Sequence, residues 1–280
     1  MPTDIVFIHS GLGNQMFQYA FYLSRKAINP NSKCDMGLLL KRKVHNGFEL
    51  NRIFDLKIGS NPFHILLIRT SYYSNFIKQL LKKININIIS DTNHTVKSKN
   101  INYFLGYWQS ENYFSHMREE IRRVFLFPKN NLSEKTKELE KIINCNNSVS
   151  IHIRRGDYTT NENIKLYGNI CTLEYYKNAI SIINKKVNSP RYFVFSNDIE
   201  WCKNNLNIPS PIYVDHNIGN NSWQDMFLMS QCKHNIIANS TFSWWGAWLN
   251  SNPEKIIICP TKLDNVNSSP DIFPDSWIKI

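Results

Sequence analysis

The chain has 280 residues, 42% of them hydrophobic and 13% aromatic, enough apolar material for two buried cores. Its net charge of +11 suits a phosphorylated ligand, a nucleic acid or an anionic membrane surface. The lysines are scattered (Lys82, Lys83, Lys97 and Lys99 among them) with no long basic run, which argues against a nucleic-acid groove and leaves a peripheral membrane face open. No leader opens the sequence and no apolar run reaches the length of a bilayer span. The six cysteines, Cys34, Cys145, Cys171, Cys202, Cys232 and Cys259, form no CxxC pair. A soluble, reduced, cytoplasmic protein is the expectation.

Asp4 to His9 reads as a buried strand, followed by the turn Ser10-Gly11-Leu12-Gly13-Asn14. Met16, Phe17, Ala20, Phe21, Leu23, Ala27 and Ile28 then recur at helical spacing. Strand, Gly-rich turn and helix open a nucleotide-binding unit, with Asp35 near the distance of a ribose-binding acid. Met16 stands where a third glycine of GxGxxG belongs, so the dinucleotide fingerprint is incomplete. Two readings of the turn stay open: backbone amides approaching a ligand, or glycines serving only their dihedrals. After Asn61-Pro62, residues 65–84 follow a helical pattern with Leu66, Ile77, Leu80, Leu81 and Ile84 inward. Residues 101–108 are β-prone, and a helix is expected over about 111–125. Tyr107, Trp108 and Tyr113 fit either a sugar-facing wall or a core, and core is the commoner use. Pro128 to Asn131 and a charged helix over 133–143 read as the bridge between a domain of residues 1–144 and a second of residues 147–280.

The second domain centres on Ser148 to Tyr158, SVSIHIRRGDY. Val149, Ile151 and Ile153 alternate with Ser150 and His152, the period of a strand. The strand delivers Arg154 and Arg155 to its carboxyl end, where open α/β sheets bind ligands, with Gly156 and Asp157 turning the chain behind them. Beyond it come a helix over 172–187, a strand over 191–196 ending at Asn197 and Asp198, and a short strand over 211–214 ending at Asp215. Ser222-Trp223-Gln224-Asp225 has the form of a capping box for the helix carrying Met226 to Gln231. Strands follow at 234–238 and 255–259. Such alternation predicts a parallel sheet with both faces covered, an α/β class.

The polar clusters of this half fall at strand ends. Asn239, Ser240, Thr241 and Ser243 open a helix there, offering hydroxyls and backbone N–H groups to a diphosphate, although ordinary N-capping has the same signature. Trp244 and Trp248, four apart, read as core. With His152 and Arg155, the hydroxyl cluster suggests a pyrophosphate held without metal. No DxD pair stands in a strand-end loop, and the histidine spacing gives no zinc site.

The blocks GLGNQMFQYAFYLSRKA, HIRRGDY and DMFLMSQCKHNIIANSTFSWWGAWLN together resemble the bacterial α-1,2-fucosyltransferases of glycosyltransferase family 11. The resemblance implies a GT-B-like α/β architecture, two Rossmann-like domains facing a central cleft, with the acceptor on the N-terminal side and the donor on the C-terminal side. It implies transfer from GDP-β-L-fucose to the 2-hydroxyl of a β-galactoside in an O-antigen or capsule repeat, with inversion, no metal and no cofactor. The acceptor is expected to be lipid-linked or free, with peripheral membrane contact in the first case. By matched position, Arg155 and His152 would contact the donor phosphates, with Arg154 and Asp157 in the same block. Gly11, Gly13 and Asn14 would face the cleft. Ser240, Thr241 and Ser243, with Asn239, fall in the donor block, and Asp198 and Asp215 would meet guanine N1–H and N2–H2. No motif selects the general base among His45, Glu49, Asp91 and Glu111. Two alternatives remain: an NAD-dependent or nucleotide-sugar-binding protein, and a non-enzymatic sugar-binding module.

Overall fold

The structure is a computed structural model that describes residues 2–40, 46–73, 79–81, 83–91, 100–266 and 271–280. The chain divides into two compact units, Met1–Leu126 and Phe127–Ile280. That division lies well before the expected one at residues 144–147. The reason is the helix Glu134–Asn144, whose Leu139 and Ile143 are buried against elements of the second unit. Ser133 starts it by accepting from Thr136 N at 3.2 Å, while its own N–H donates to Gln224 Oε1 at 3.0 Å.

The first unit runs β1 (Thr3–Phe7), α1 (Leu12–Ile28), β2 (Lys33–Asp35), α2 (Gly37–Leu40), α3 (Leu50–Phe54), α4 (Pro62–Tyr73), β3 (Ile86–Ile89), β4 (Ile101–Phe104) and α5 (Arg118–Val124). Its strands are all parallel, in the order β2-β1-β4-β3. The chain leaves β1 towards β2 and comes back on the other side through β3 and β4, so the topological switch falls between β1 and β4. Side chains of β1 alternate between two cores. Ile5 and Phe7 pack with Ile68, Leu81 and Tyr103, and Val6 with Phe21, Tyr22 and Trp108. Burial on both faces explains why β1 reads as an unbroken apolar run. Trp108 stacks on Phe21 at 4.1 Å, so it is core, whereas Tyr107 is 42% exposed.

Three expectations for this unit change. The pattern over 65–84 starts earlier, at Pro62, and Leu66, Leu80 and Ile84 face solvent while Leu81 is buried; Ile77 lies outside the described residues. The segment expected as one helix over 111–125 is two short 3-10 turns, the first capped by Ser110, followed by α5. Asp35 is committed to the backbone and to His64, accepting from Gly37 N at 2.8 Å, Asn61 N at 3.0 Å and His64 Nδ1 at 2.9 Å. It is therefore no ribose-binding acid.

The second unit runs α6 (Glu134–Asn144), β5 (Asn147–Ile153), α7 (Ile164–Tyr167), α8 (Leu173–Lys186), β6 (Pro190–Ser196), α9 (Ile199–Asn205), β7 (Ile212–Val214), α10 (Trp223–Gln231), β8 (His234–Ile236), α11 (Thr241–Leu249), β9 (Ile257–Cys259) and β10 (Ile278–Lys279). The six strands are parallel in the order β10-β9-β8-β5-β6-β7. This is the doubly wound arrangement, with its switch point between β5 and β8. On one face of β5, Val149, Ile151 and Ile153 pack against Tyr176, Ala179 and Ile183 of α8. The other face is a buried polar ladder. Ser148 Oγ accepts from Lys233 N, and Asn235 Nδ2 donates to both Ser150 Oγ at 2.7 Å and Met229 O at 2.8 Å. Asn250 Nδ2 closes the ladder on Asn235 Oδ1 at 2.8 Å. Trp244, Trp245 and Trp248 are core. Ser222 has helical backbone angles and makes no capping bond, so the expected capping box does not form.

Candidate active site

Residues just past β5, β6 and β8 meet at the carboxyl edge of the second sheet. Ile153 pairs with Ser196 across β5 and β6, so Arg155 and Asp198 each stand two residues beyond that pair. Arg155 Nε donates to Asp198 Oδ2 at 3.3 Å, its backbone N–H to Asn197 Oδ1 at 3.0 Å, and its guanidinium lies 3.9 Å from the Trp201 ring centre. Asp198 also caps α9 by accepting from Trp201 N at 3.1 Å. The arginine expected to hold the donor phosphates and one of the acids expected to read guanine are thus bound to each other. Asp215 is likewise engaged, by Lys135 Nζ at 3.3 Å, and that contact holds its carboxyl below the usual range.

Arg154 directly follows the last residue of β5. Arg154 sits 5.6 Å from the Tyr158 ring centre, and Tyr158 stacks on Tyr167 while donating to Asn239 O at 3.1 Å. A cavity of about 330 Å³ opens here, lined by both arginines, Tyr158, Tyr176, Trp201 and Asn239. That volume is at the small end for a ligand pocket. His152 is 5% exposed, and its Nδ1 has no hydrogen-bond partner. Burial, with the charge of Arg154 adding to it, pushes the imidazole down to about 3. His152 is therefore a neutral ring and not a positive contact for phosphate. Leaving such a nitrogen unmet costs on the order of 1–3 kcal/mol.

Across the switch point, Ser240 caps α11 by accepting from Phe242 N at 3.4 Å, and Thr241 begins the helix half-exposed. Ser243 is fully buried and its hydroxyl turns back onto the carbonyls of Ser240 and Ala238. The Asn239 amide donates to Tyr167 O at 3.1 Å and Leu263 O at 3.0 Å, tying two loops together. Of the hydroxyl cluster, Ser240 and Thr241 stand at the helix start and Ser243 does not. Asp157 belongs to the 3-10 turn Gly156–Thr159; its side chain lies outside the described residues. Among the described residues, no three His, Cys, Asp or Glu side chains gather as metal ligands.

Asp225, at the end of the Ser222-Trp223-Gln224-Asp225 stretch, is a further perturbed acid. Its carboxyl accepts from Asn217 Nδ2 at 2.8 Å, and burial pushes it up to about 7, aided by the charge of Asp215. Strongly perturbed acids of this kind concentrate at functional sites.

In the first unit the Gly-rich turn follows β1, at the β1–β4 switch. The left-handed residue of the Gly-rich turn is Ser10, with φ of 68°, whereas Gly11 is extended at −77° and precedes α1 without a capping side chain. Gly13 is buried, and Asn14 Oδ1 accepts from Gln109 Nε2 at 2.8 Å. Two buried glutamines fix the turn. Gln15 donates to Ser10 O and Gly47 O, and Gln18 bridges His9 N and Gly106 O. Of the proposed bases, Glu49 is clamped by Arg52 Nη2 at 2.8 Å with burial raising its carboxyl, and Glu111 pairs with Arg118 Nη2 at 2.7 Å. Asp91 accepts from Tyr107 N and Trp108 N at 2.6 and 3.0 Å. His45 lies outside the described residues.

Two α/β units, each built on an all-parallel sheet, are the architecture of the GT-B class of glycosyltransferase folds. That fold is shared with NodZ, an α-1,6-fucosyltransferase from Bradyrhizobium crystallised with GDP, at a TM-score of 0.54 and 12% identity over 88% of this chain and 91% of that one. The description of glycosyl transferase family 11 matches residues 5–280, and the chain belongs to that family. It is 39% identical to an alpha-1,2-colitosyltransferase of Escherichia coli, over 100% of this chain and 99% of that protein. It is 34% identical to the O-antigen biosynthesis glycosyltransferase WbnK of the same species, over 98% and 99%.

Proposed function

We propose that the protein transfers L-fucose from GDP-β-L-fucose to the 2-hydroxyl of a β-galactoside in a surface glycan, with inversion and without a metal ion. The observation that carries this reading is the β5–β8 crevice, where Arg154 borders the cavity beside Asn239 and Ser240 caps α11. A guanidinium and a helix N-terminus are the two protein groups best suited to a diphosphate. The acceptor oxygen bonds to the anomeric carbon as the bond from that carbon to the β-phosphate oxygen breaks, its electron pair leaving on GDP. Arg154 meets the charge that gathers there, a role that many transferases give to a cation. Arg155, bound to Asp198, acts as its support.

Of the three acids Asp198, Asp215 and Asp225, the first two have cationic partners and Asp225 bonds to an amide. Asp225 is therefore our candidate for guanine N1–H and N2–H2, with the unmet Nδ1 of His152 on the same sheet edge. The net charge of +11 favours an acceptor presented at an anionic membrane.

A second reading, colitose transfer, is favoured by the 39% identical relative. Colitose lacks the 3-hydroxyl of fucose, and a site built around a hydroxyl rejects the analogue without it by several orders of magnitude. Thermal protection by GDP, weaker protection by UDP, ADP and NAD, and GDP release from GDP-fucose on adding a β-galactoside are the expected results. Equal protection by all four nucleotides would defeat the guanine assignment. Turnover of GDP-colitose with none of GDP-fucose would establish the second reading in place of the first.

A further inference from the structure

We propose that the first unit docks on an anionic lipid bilayer through the outer face of α4 and the helical turn after it, with Phe63, Leu66, Leu80 and Ile84 entering the headgroup boundary. The inference deepens the reading of an acceptor presented at a membrane, and its observations do not depend on which sugar is transferred. α4 covers the sheet face that carries Ile5 and Phe7: its Ile65 and Ile68 are buried, and Ile68 packs with both. At 3.6 residues per turn Phe63 and Leu66 fall on the opposite side of the helix, and they are 63% and 62% exposed. Leu81 lies in the same core cluster as Ile68, so the turn that carries it belongs to the same helical layer. In that turn the Ile84 N–H donates to Leu80 O at 3.2 Å, which sets the two side chains on one face, 47% and 58% exposed. Four large apolar side chains therefore project from one layer, away from the sheet. Grouped exposure of this kind marks a surface that meets a partner or a lipid.

Charge decides between the two. From Leu56 to Ser90 the sequence holds five Lys or Arg and no Asp or Glu. Lys57 and Lys83, within that stretch, are exposed. Lysine is depleted from protein–protein interfaces. At a bilayer the same pattern is favourable, because a lysine lays its stem along apolar surface and carries its ammonium up to the lipid phosphates. Each base near an anionic surface contributes roughly fivefold in affinity, and insertion of the apolar chains adds to that. α4 has 12 residues, and no helix among the described residues is long and apolar enough to cross a membrane. The contact is therefore one that lies in the plane of the interface.

The test measures co-sedimentation of the protein with vesicles of phosphatidylcholine alone and of phosphatidylcholine mixed with phosphatidylglycerol. The wild type should bind the anionic vesicles at least roughly tenfold more tightly than the neutral ones. Raising salt from about 0.1 to about 1 M shortens the screening length from about 10 to about 3 Å and should weaken that binding. Phe63→Ser with Leu66→Ser, and separately Leu80→Ser with Ile84→Ser, should each lower the partition coefficient by roughly tenfold or more. The control is Ile28→Ser with Ile142→Ser, both exposed, one on α1 across the sheet and one on α6. It should stay within about threefold of the wild type, since neither side chain lies on the docking face.

Circular dichroism and melting temperature report folding. If one pair of replacements does not fold the other decides, and if neither does, Lys83→Glu decides, with a fall of at least roughly fivefold expected. A wild type that stays in solution beside anionic vesicles, or folded variants that bind them as it does, would overturn the proposal. So would a wild type that is dimeric and becomes monomeric with Phe63→Ser and Leu66→Ser, which would give the face to a second copy of the chain. A wild type that binds anionic vesicles and transfers neither fucose nor colitose to any β-galactoside would defeat the transferase reading and leave the docking face in place.

Discussion

Asp225→Asn should make the protein more stable and less able to bind GDP. Burial raises this carboxyl from the ordinary 3.8 to about 7. Between those values the folded state keeps a proton that the unfolded chain has lost, so stability falls as pH rises through that window and is level above it. A shift of about 3 pH units at 1.36 kcal/mol each sets an upper bound of roughly 4 kcal/mol on what the buried charge costs at pH 8. Asparagine carries no charge and its carbonyl can still accept from Asn217. The variant should match the wild type near pH 4 and melt higher at pH 8, by several degrees at about 2–4 °C per kcal/mol. If Asp225 meets guanine, the same change removes a paired acceptor, and GDP affinity should fall by on the order of a hundredfold. Melting curves from pH 4 to 8, with and without GDP, read both effects. A variant that melts lower at pH 8 would refute the stability argument. One that binds GDP as the wild type does would refute the guanine assignment.

Arg154→Lys should lower kcat by at least roughly a hundredfold, because an ammonium cannot reproduce the planar fork on the β-phosphate. Arg155→Lys, at a half-exposed ion pair, should change the rate only a few-fold, and reversal of that order in steady-state kinetics would exchange the two roles. EDTA should leave turnover unchanged; loss of activity restored by manganese would show that a metal ion takes part. Gly106→Ala would place a Cβ 1.9 Å from Asp91 Oδ1, forcing the carboxylate off the N–H groups of Tyr107 and Trp108. Denaturant unfolding should register a loss on the order of 1–3 kcal/mol.

The alternation of apolar side chains along β5 and the regular spacing of strands and helices after it made the second unit readable from sequence. A strand buried on both faces and a helix packed on one leave different periods. The first unit was less readable because the helical pattern over 65–84 leaves Leu66, Leu80 and Ile84 facing solvent. The division between units was misplaced because α6 has the charged outer face of a linker and an inner face, Leu139 and Ile143, that is core. Strand ends mark in the sequence which residues share a sheet edge, and not which of them pair. Arg155 and Asp198 are 43 residues apart and meet only through the β5–β6 register. Nothing in their local sequence distinguishes Arg155 from Arg154, since both lie past the end of β5. Asp225 was hidden by a motif that its segment resembles without adopting.

The buried ladder on β5 has a bearing on how faithfully the sheet assembles. β8 has only three residues, of which Ile236 alone is apolar, and the task of delivering Asn239 and Ser240 to the crevice. A slip of one residue would turn Asn235 towards the apolar side of the sheet and shift the start of α11 along it by about 3.3 Å. Three directional bonds at Asn235, to Ser150, Met229 and Asn250, penalise that slip far more sharply than an isoleucine could. Replacing Asn235 with an apolar residue would therefore act first on the uniqueness of the alignment, scattering the donor-binding end among misaligned conformers.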